Sequence, residues 1–341
     1  MKPASTRSSG SSTLTPQHYP LPSEGRGSEP AFHVHNLSHR YGDRVALDGV
    51  SIDVRQREIF ALLGPNGSGK TTLFRILATL IEPTSGVAEV LGLDVVRQRD
   101  EVRRGLGVVF QSPSLDKQLT AEENLRHHGH LYGLRGAALR RRIGESLESF
   151  GVADRARELT GKLSGGLRRR VELAKGMLTN PRILLLDEPS TGLDPAARIE
   201  LWKQLARVRG DAGVTVLLTT HLMDEADRCD RIAILDRGRV LACDAPDALK
   251  DRIGGDVVTI VTDQIDEVRA LLRERLEVDA QPLDDHVLRL ERRRGHEFVP
   301  QVIEAAPGMI NSISLGRPTL EDVFVHITGR AFRDDEFRGR G

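Results

Sequence analysis

Between residues 32 and 250 the apolar positions of the chain fall into two alternating kinds of segment. One kind is a short, nearly continuous apolar run: EIFALLG (58–64), LGVVF (106–110), RILLLDEP (182–189), VTVLLTTH (214–221) and RIAILDRGRV (231–240). Such runs predict strands buried on both faces, because a half-exposed strand alternates apolar and polar residues. The other kind repeats apolar residues every three or four positions, as in TTLFRILATLI (71–81), the stretch from LSGG through Met177, and AARIELWKQLARV (196–208). That spacing predicts helices. Strands alternating with helices predict an α/β fold around a mostly parallel sheet. Two further strands, AFHVHNLSHRY (31–41) and VALDGVSIDV (45–54), suit an antiparallel edge. From about Ser112 to Leu163 amphipathic helical segments dominate and read as an insertion.

Past Lys250 the pattern changes. DVVTIVT, DEVRALLRERL, HVLRLER, EFVPQVIEAA and MINSISL predict β-α-β-α-β, a small α+β domain. It closes with PTLEDVFVHITGR, where Thr319 and Asp322 have capping-box spacing and Leu320, Val323, Phe324 and Ile327 share one face. A buried structural helix is the expectation, with a docking face the alternative. The expected division is therefore a disordered Ser/Gly/Pro-rich tail over 1–30, a main domain over 31–252 with its helical insertion at about 112–163, a small domain over 253–332, and a polar tail over 333–341.

Composition adds exclusions. Lys+Arg and Asp+Glu are both 49, so net charge offers no argument for a nucleic-acid or acidic-membrane partner. The Arg runs 140–142, 168–170 and 292–294 read as solvated faces or loops. The two cysteines, Cys229 and Cys243, have neither disulfide-framework nor metal-site spacing. No apolar run reaches the length of a membrane span.

The chemistry concentrates at strand ends. GPNGSGKT, Gly64 to Thr71, matches G-x-x-x-x-G-K-[ST] in full, between a predicted strand and a predicted helix. Its glycines (Gly64, Gly67, Gly69) let the backbone of Pro65-Asn66-Gly67-Ser68-Gly69-Lys70-Thr71-Thr72 turn so that its N–H groups, which begin at Asn66, point at phosphate oxygens. Lys70 reaches the terminal phosphates and the Thr71 hydroxyl binds Mg²⁺. ILLLDE delivers Asp187 to the sheet edge as a Mg²⁺ ligand. Glu188 follows, pointing elsewhere and suited to take a proton from water. Gln111 ends another strand, where its amide oxygen can meet Mg²⁺ or the water; a surface glutamine is the alternative. His221 ends a third strand on the same edge, either bland or in contact with a γ-phosphate. Tyr41 offers a ring for a base to stack on. Ser164, Gly165 and Gly166 open a helix, which suits an anion.

Taken in order, Tyr41, GPNGSGKTT, Gln111, LSGG, ILLLDEP, STGLDP and His221 resemble the nucleotide-binding subunits of ATP-binding cassette (ABC) transporters, over residues 32 to 250. The tail domain and PTLEDVF resemble the ATPase subunits of ABC-2 exporters of the daunorubicin-resistance kind. The resemblance implies ATP and Mg²⁺ as cofactors and a head-to-tail dimer of two copies. Ser164, Gly165, Gly166 and Asp194 of one copy would face the nucleotide held by the other. It also implies a separate integral membrane permease docked near residues 112–135, no nucleic-acid partner, and a place at the cytoplasmic face of the membrane. A soluble ATPase of the same kind acting on ribosomes or DNA is the rival reading. One departure stands out: Leu167 occupies the position where the family usually has Gln.

Overall fold

The computed structural model describes residues 30–332; the tails expected over 1–30 and 333–341 lie outside the described residues apart from residue 30. The strands and helices run in the order β1 (Phe32–Tyr41), β2 (Arg44–Val54), β3 (Ile59–Leu63), α1 (Lys70–Leu77), β4 (Ser85–Val90), β5 (Leu93–Asp94), α2 (Arg99–Gly105), β6 (Leu106–Val109), α3 (Ala121–Leu131), α4 (Gly136–Ser149), α5 (Gly165–Met177), β7 (Ile183–Asp187), α6 (Pro195–Gly210), β8 (Thr215–Thr220), α7 (Met223–Ala226), β9 (Arg231–Asp236), β10 (Arg239–Asp244) and α8 (Pro246–Lys250). The remainder comprises β11 (Asp256–Val261), α9 (Ile265–Leu276), β12 (Gln281–Pro282), β13 (Val287–Arg292), α10 (Gly295–Ala305), β14 (Ser312–Gly316) and α11 (Leu320–Thr328).

A six-stranded sheet in the order β10-β9-β3-β8-β7-β6 forms the centre, parallel except for the β9–β10 hairpin. Its strands are continuous apolar runs because each face meets its own core. Ile59, Ala61 and Leu63 of β3 join one core, with the helical insertion, α5 and α6. Phe60 and Leu62 point the other way, into a core shared with α1 and the antiparallel sheet β2-β1-β4-β5. The same alternation splits Leu184 and Leu186 from Ile183 and Leu185 on β7. On β3, β7, β8 and β9, where every side chain is covered, no polar alternation remains to be read.

Two local departures have physical causes. The helical pattern expected through Ile81 stops at Leu77, because the chain turns left-handed at Thr79, with φ 61°. Arg103 fixes that turn by donating to the Thr79 hydroxyl (2.8 Å) and carbonyl (3.2 Å). Nothing in the pattern announced β4, β5 and α2: the first half of β4 is exposed, so its apolar signal is thin.

Residues 256–316 form a third sheet, β12-β13-β11-β14, antiparallel throughout, covered by α9 and α10 around a separate core. Helix α11 does not join that core. Leu320, Val323 and Phe324 are buried in the core of the central sheet, beside α8. The capping box at Thr319 and Asp322 is formed. Asp322 also accepts from Arg289 of β13 at 2.7 Å, and Arg330 reaches Asp236 of β9 at 2.6 Å.

Candidate nucleotide site

The phosphate loop connects β3 to α1 at the carboxyl edge of the central sheet. Its glycines are used. Gly67 (φ 78°) and Gly69 (φ 106°) are left-handed, and a Cβ at Gly64 would lie 2.3 Å from the carbonyl oxygen of Leu235. Lys70 is buried, and its ammonium donates to the carbonyls of Gly64 (2.7 Å) and Pro65 (3.0 Å), which holds it along the loop. A cleft of about 210 Å³ follows the loop from Asn66 to Thr72 and is completed by Tyr41, Arg44, Ala46, Arg75 and Glu188. Tyr41 stands exposed at its mouth, edge-on to His39 with ring centroids 4.6 Å apart. Arg44 and Arg75 were not singled out in the sequence; being single residues outside any motif, they carried no signal.

Three neighbouring strand ends bring the remaining groups together. Asp187, the last residue of β7, is buried, and burial raises its carboxyl above the usual range; a hydrogen bond from Thr219 works the other way. The Thr219 hydroxyl donates to Oδ1 of Asp187 at 2.6 Å and accepts the N–H of Glu188 at 2.9 Å. Glu188 is left-handed (φ 43°), a conformation costing a non-glycine residue roughly 1–2 kcal/mol. This turn, beyond simple strand alternation, aims its carboxylate away from Asp187. Oε2 accepts from the Gln111 amide (3.0 Å) and the Thr191 hydroxyl (3.1 Å), and Oε1 lies 3.3 Å from Nδ1 of His221. His221 holds the Glu188 carboxyl below its usual range, against the opposing effect of burial.

Behind these groups lie two residues that sequence reasoning missed. Glu225 is buried and accepts from the hydroxyls of Ser190 and, at 2.8 Å, Thr220, so it ties the loop after Glu188 to the residue before His221. Arg169 corrects the reading of residues 168–170 as a solvated run: it is buried and bonded to loop carbonyls, whereas Arg168 and Arg170 are half-buried. Only its three-dimensional neighbours distinguish it within RRR.

Ser164 caps α5, accepting the N–H of Leu167 at 3.3 Å, and stands exposed with Gly165. Gly166 lets α5 approach α6: an added Cβ would lie 2.9 Å from Cβ of Ala197. Asp194 caps α6 through the N–H of Ala197 at 2.9 Å. None of these four lines the cleft of its own phosphate loop. Leu167, the departure from the family pattern, packs against the central core and contributes its N–H to the Ser164 cap. Here it supplies a backbone donor and an apolar side chain.

The donor set fits a hard divalent cation. The Thr71 hydroxyl, Asp187 carboxylate and Gln111 amide oxygen are all hard oxygens. Among the described residues no cluster of three or more His, Cys, Asp or Glu exists to cage an ion. Mg²⁺ needs no such cage, since it takes one or two carboxylates and completes its shell with phosphate and water.

Comparison with known proteins gives the chain a family. The ABC transporter family profile matches residues 47–191. The daunorubicin resistance ATP-binding protein DrrA3 of Streptomyces coeruleorubidus is 40% identical over 89% of this chain and 97% of its own length. The Nod factor export ATP-binding protein I of Ralstonia nicotianae is 38% identical over 92% of this chain and 98% of its own. Among solved structures, a dimeric post-hydrolysis state of the ATP-binding cassette MJ0796 bound to ADP and Pi superposes with a TM-score of 0.57 at 29% identity, covering 63% of this chain and 98% of that one.

Proposed function

We propose, starting from the fact that the chain belongs to the ATP-binding cassette (ABC) transporter family, that it is the ATPase subunit of an exporter and works as a head-to-tail dimer closed by ATP. It binds and hydrolyses ATP. The observation that carries the finer reading is the Glu188 carboxylate, held by Gln111, Thr191 and His221 at the edge of the phosphate-loop cleft.

The loop N–H groups and Lys70 bind the phosphates, and Tyr41 meets the base. Mg²⁺, when bound, would be held by Thr71, Asp187 and Gln111, and would neutralise phosphate charge. Glu188 is ionised at neutral pH and takes the proton from the attacking water. His221 keeps that carboxylate aimed and meets the γ-phosphate. Ser164 and the first N–H groups of α5, exposed and outside their own cleft, face the γ-phosphate held by the partner copy, with Asp194 beside them. The γ-phosphate then supplies the contact that keeps two copies closed, and its loss opens them.

No helix among the described residues is long and apolar enough to cross a membrane. In this reading transport runs through a separate permease, which docks on the helical insertion near residues 112–135 and holds the subunit at the cytoplasmic face. The cargo belongs to that permease: relatives of similar identity carry names as different as daunorubicin resistance and Nod factor export.

Light scattering on a Glu188→Gln variant tests the reading. ATP with Mg²⁺ should give a stable dimer and ADP a monomer, with turnover reduced ~10²–10⁴-fold. A monomer at saturating ATP overturns the dimer, and normal turnover removes Glu188 from its role.

A further inference from the structure

We propose that Arg169 is a positioning residue for hydrolysis: from helix α5 it fixes the backbone from which Gln111 and Glu188 project. This rests on the ATPase reading above. The guanidinium is buried, and each of its three nitrogens has a partner. Nε donates to the carbonyl of Pro189 at 2.7 Å, Nη1 to the carbonyl of Phe110 at 3.1 Å and to Oε2 of Glu172 at 2.8 Å, and Nη2 reaches the carbonyl of Glu188 at 3.4 Å. Phe110 immediately precedes Gln111, and the other two carbonyls belong to the turn that carries Glu188.

That turn needs holding. Glu188 has a left-handed backbone, with its N–H bound by Thr219 on one side and its carbonyl met by Arg169 on the other. One planar fork spans acceptors on two strand ends, a task for which the single ammonium of lysine has no equivalent geometry. Glu172 neutralises the buried charge and separately accepts the N–H of Ser114 at 2.9 Å, so the stretch after Gln111 is tied to the same pair. Helix α5 also begins at Ser164. The element proposed to meet the partner's nucleotide therefore also carries the group that sets this copy's own Gln111 and Glu188.

The test combines Arg169→Met with Glu172→Gln. The pair leaves no uncompensated buried charge, and an amide at 172 still accepts from Ser114. The unfolding temperature should fall, because the carbonyls of Phe110 and Pro189 lose a donor, but the folded variant should bind a non-hydrolysable ATP analogue and keep KM near wild type, while kcat falls ~10–100-fold, as misplacement of a reacting group does. Glu172→Gln alone leaves the Arg169 charge without its carboxylate but its carbonyl bonds in place, so it should lose stability and, while folded, keep kcat near wild type. Arg169→Lys, which retains the charge but not the fork, covers the case in which the double variant fails to fold, and should lose kcat at unchanged KM. A folded variant with wild-type kcat, or an equal loss in Glu172→Gln alone, overturns the proposal. Absence of ATPase activity in the unmodified protein would instead overturn the reading it rests on.

Discussion

Nδ1 of His221 lies 3.3 Å from Oε1 of Glu188, across the gap between the ends of β8 and β7. This contact is the main reason the Glu188 carboxyl is held below its ordinary range, because burial pushes the other way. The sign of the pH effect follows. In the proposed role Glu188 must be ionised to act, so the acid limb of kcat/KM falls where it takes up a proton, and depression of that group keeps the limb low. Removing the ring in His221→Ala lets the carboxyl rise, so the acid limb should move to higher pH. The pH profile of kcat/KM measures it directly, since that quantity reports the free enzyme. An unmoved limb would show that another group limits the reaction there.

One hydroxyl serves two functional carboxylates. Thr219 donates to Asp187 and accepts from the N–H of Glu188, and it is fully buried. Thr219→Val keeps the shape and strands both partners. Loss of that hydrogen bond would leave burial less opposed and raise Asp187 further, so that in its proposed role a proton competes better with the cation. The expected outcome is a Mg²⁺ concentration for half-maximal ATPase several-fold higher, with roughly 1–3 kcal/mol less stability from the unsatisfied groups. A Mg²⁺ titration and a denaturant melt on one preparation check both.

Leu167 is expected to be a packing residue. Its contact with the central core is apolar, and its N–H, not its side chain, supports the Ser164 cap. Leu167→Gln should therefore cost about 1 kcal/mol of stability through lost apolar burial. ATP turnover should stay within about twofold of wild type, because the cap it supports uses only the backbone N–H, which every residue but proline supplies. Steady-state ATPase assays beside thermal melts would separate the two effects; a gain in turnover would show that the missing amide matters.

The ion pair Arg289–Asp322 joins the small domain to α11, and α11 sits in the core of the central sheet. Arg289 is almost wholly buried, so Asp322→Ala leaves an incompletely paired charge and also removes the capping box. The expected loss is roughly 3–5 kcal/mol. Limited proteolysis should show new cleavage around residues 316–319, and the companion Arg289→Met with Asp322→Ala should recover part of the stability.

Much of this protein was legible in its residues because the informative features are local. A phosphate loop is one unbroken stretch, and the buried strands β3, β7 and β8 show themselves as apolar runs without needing a partner to be named. Asp187, Glu188, Gln111 and His221 could be placed at one edge because each ends such a run. The tertiary structure decided what depends on distant segments meeting. Arg169 looks like its neighbours until the carbonyls of residues 110, 188 and 189 surround it. Glu225 and Thr219 matter only because β7 and β8 lie side by side. Helix α11 follows the small domain in sequence, yet its apolar face is buried with the central sheet, since that is where a complementary surface remained. Periodicity states that a face must be covered. Which surface covers it is settled by the packing of the whole chain.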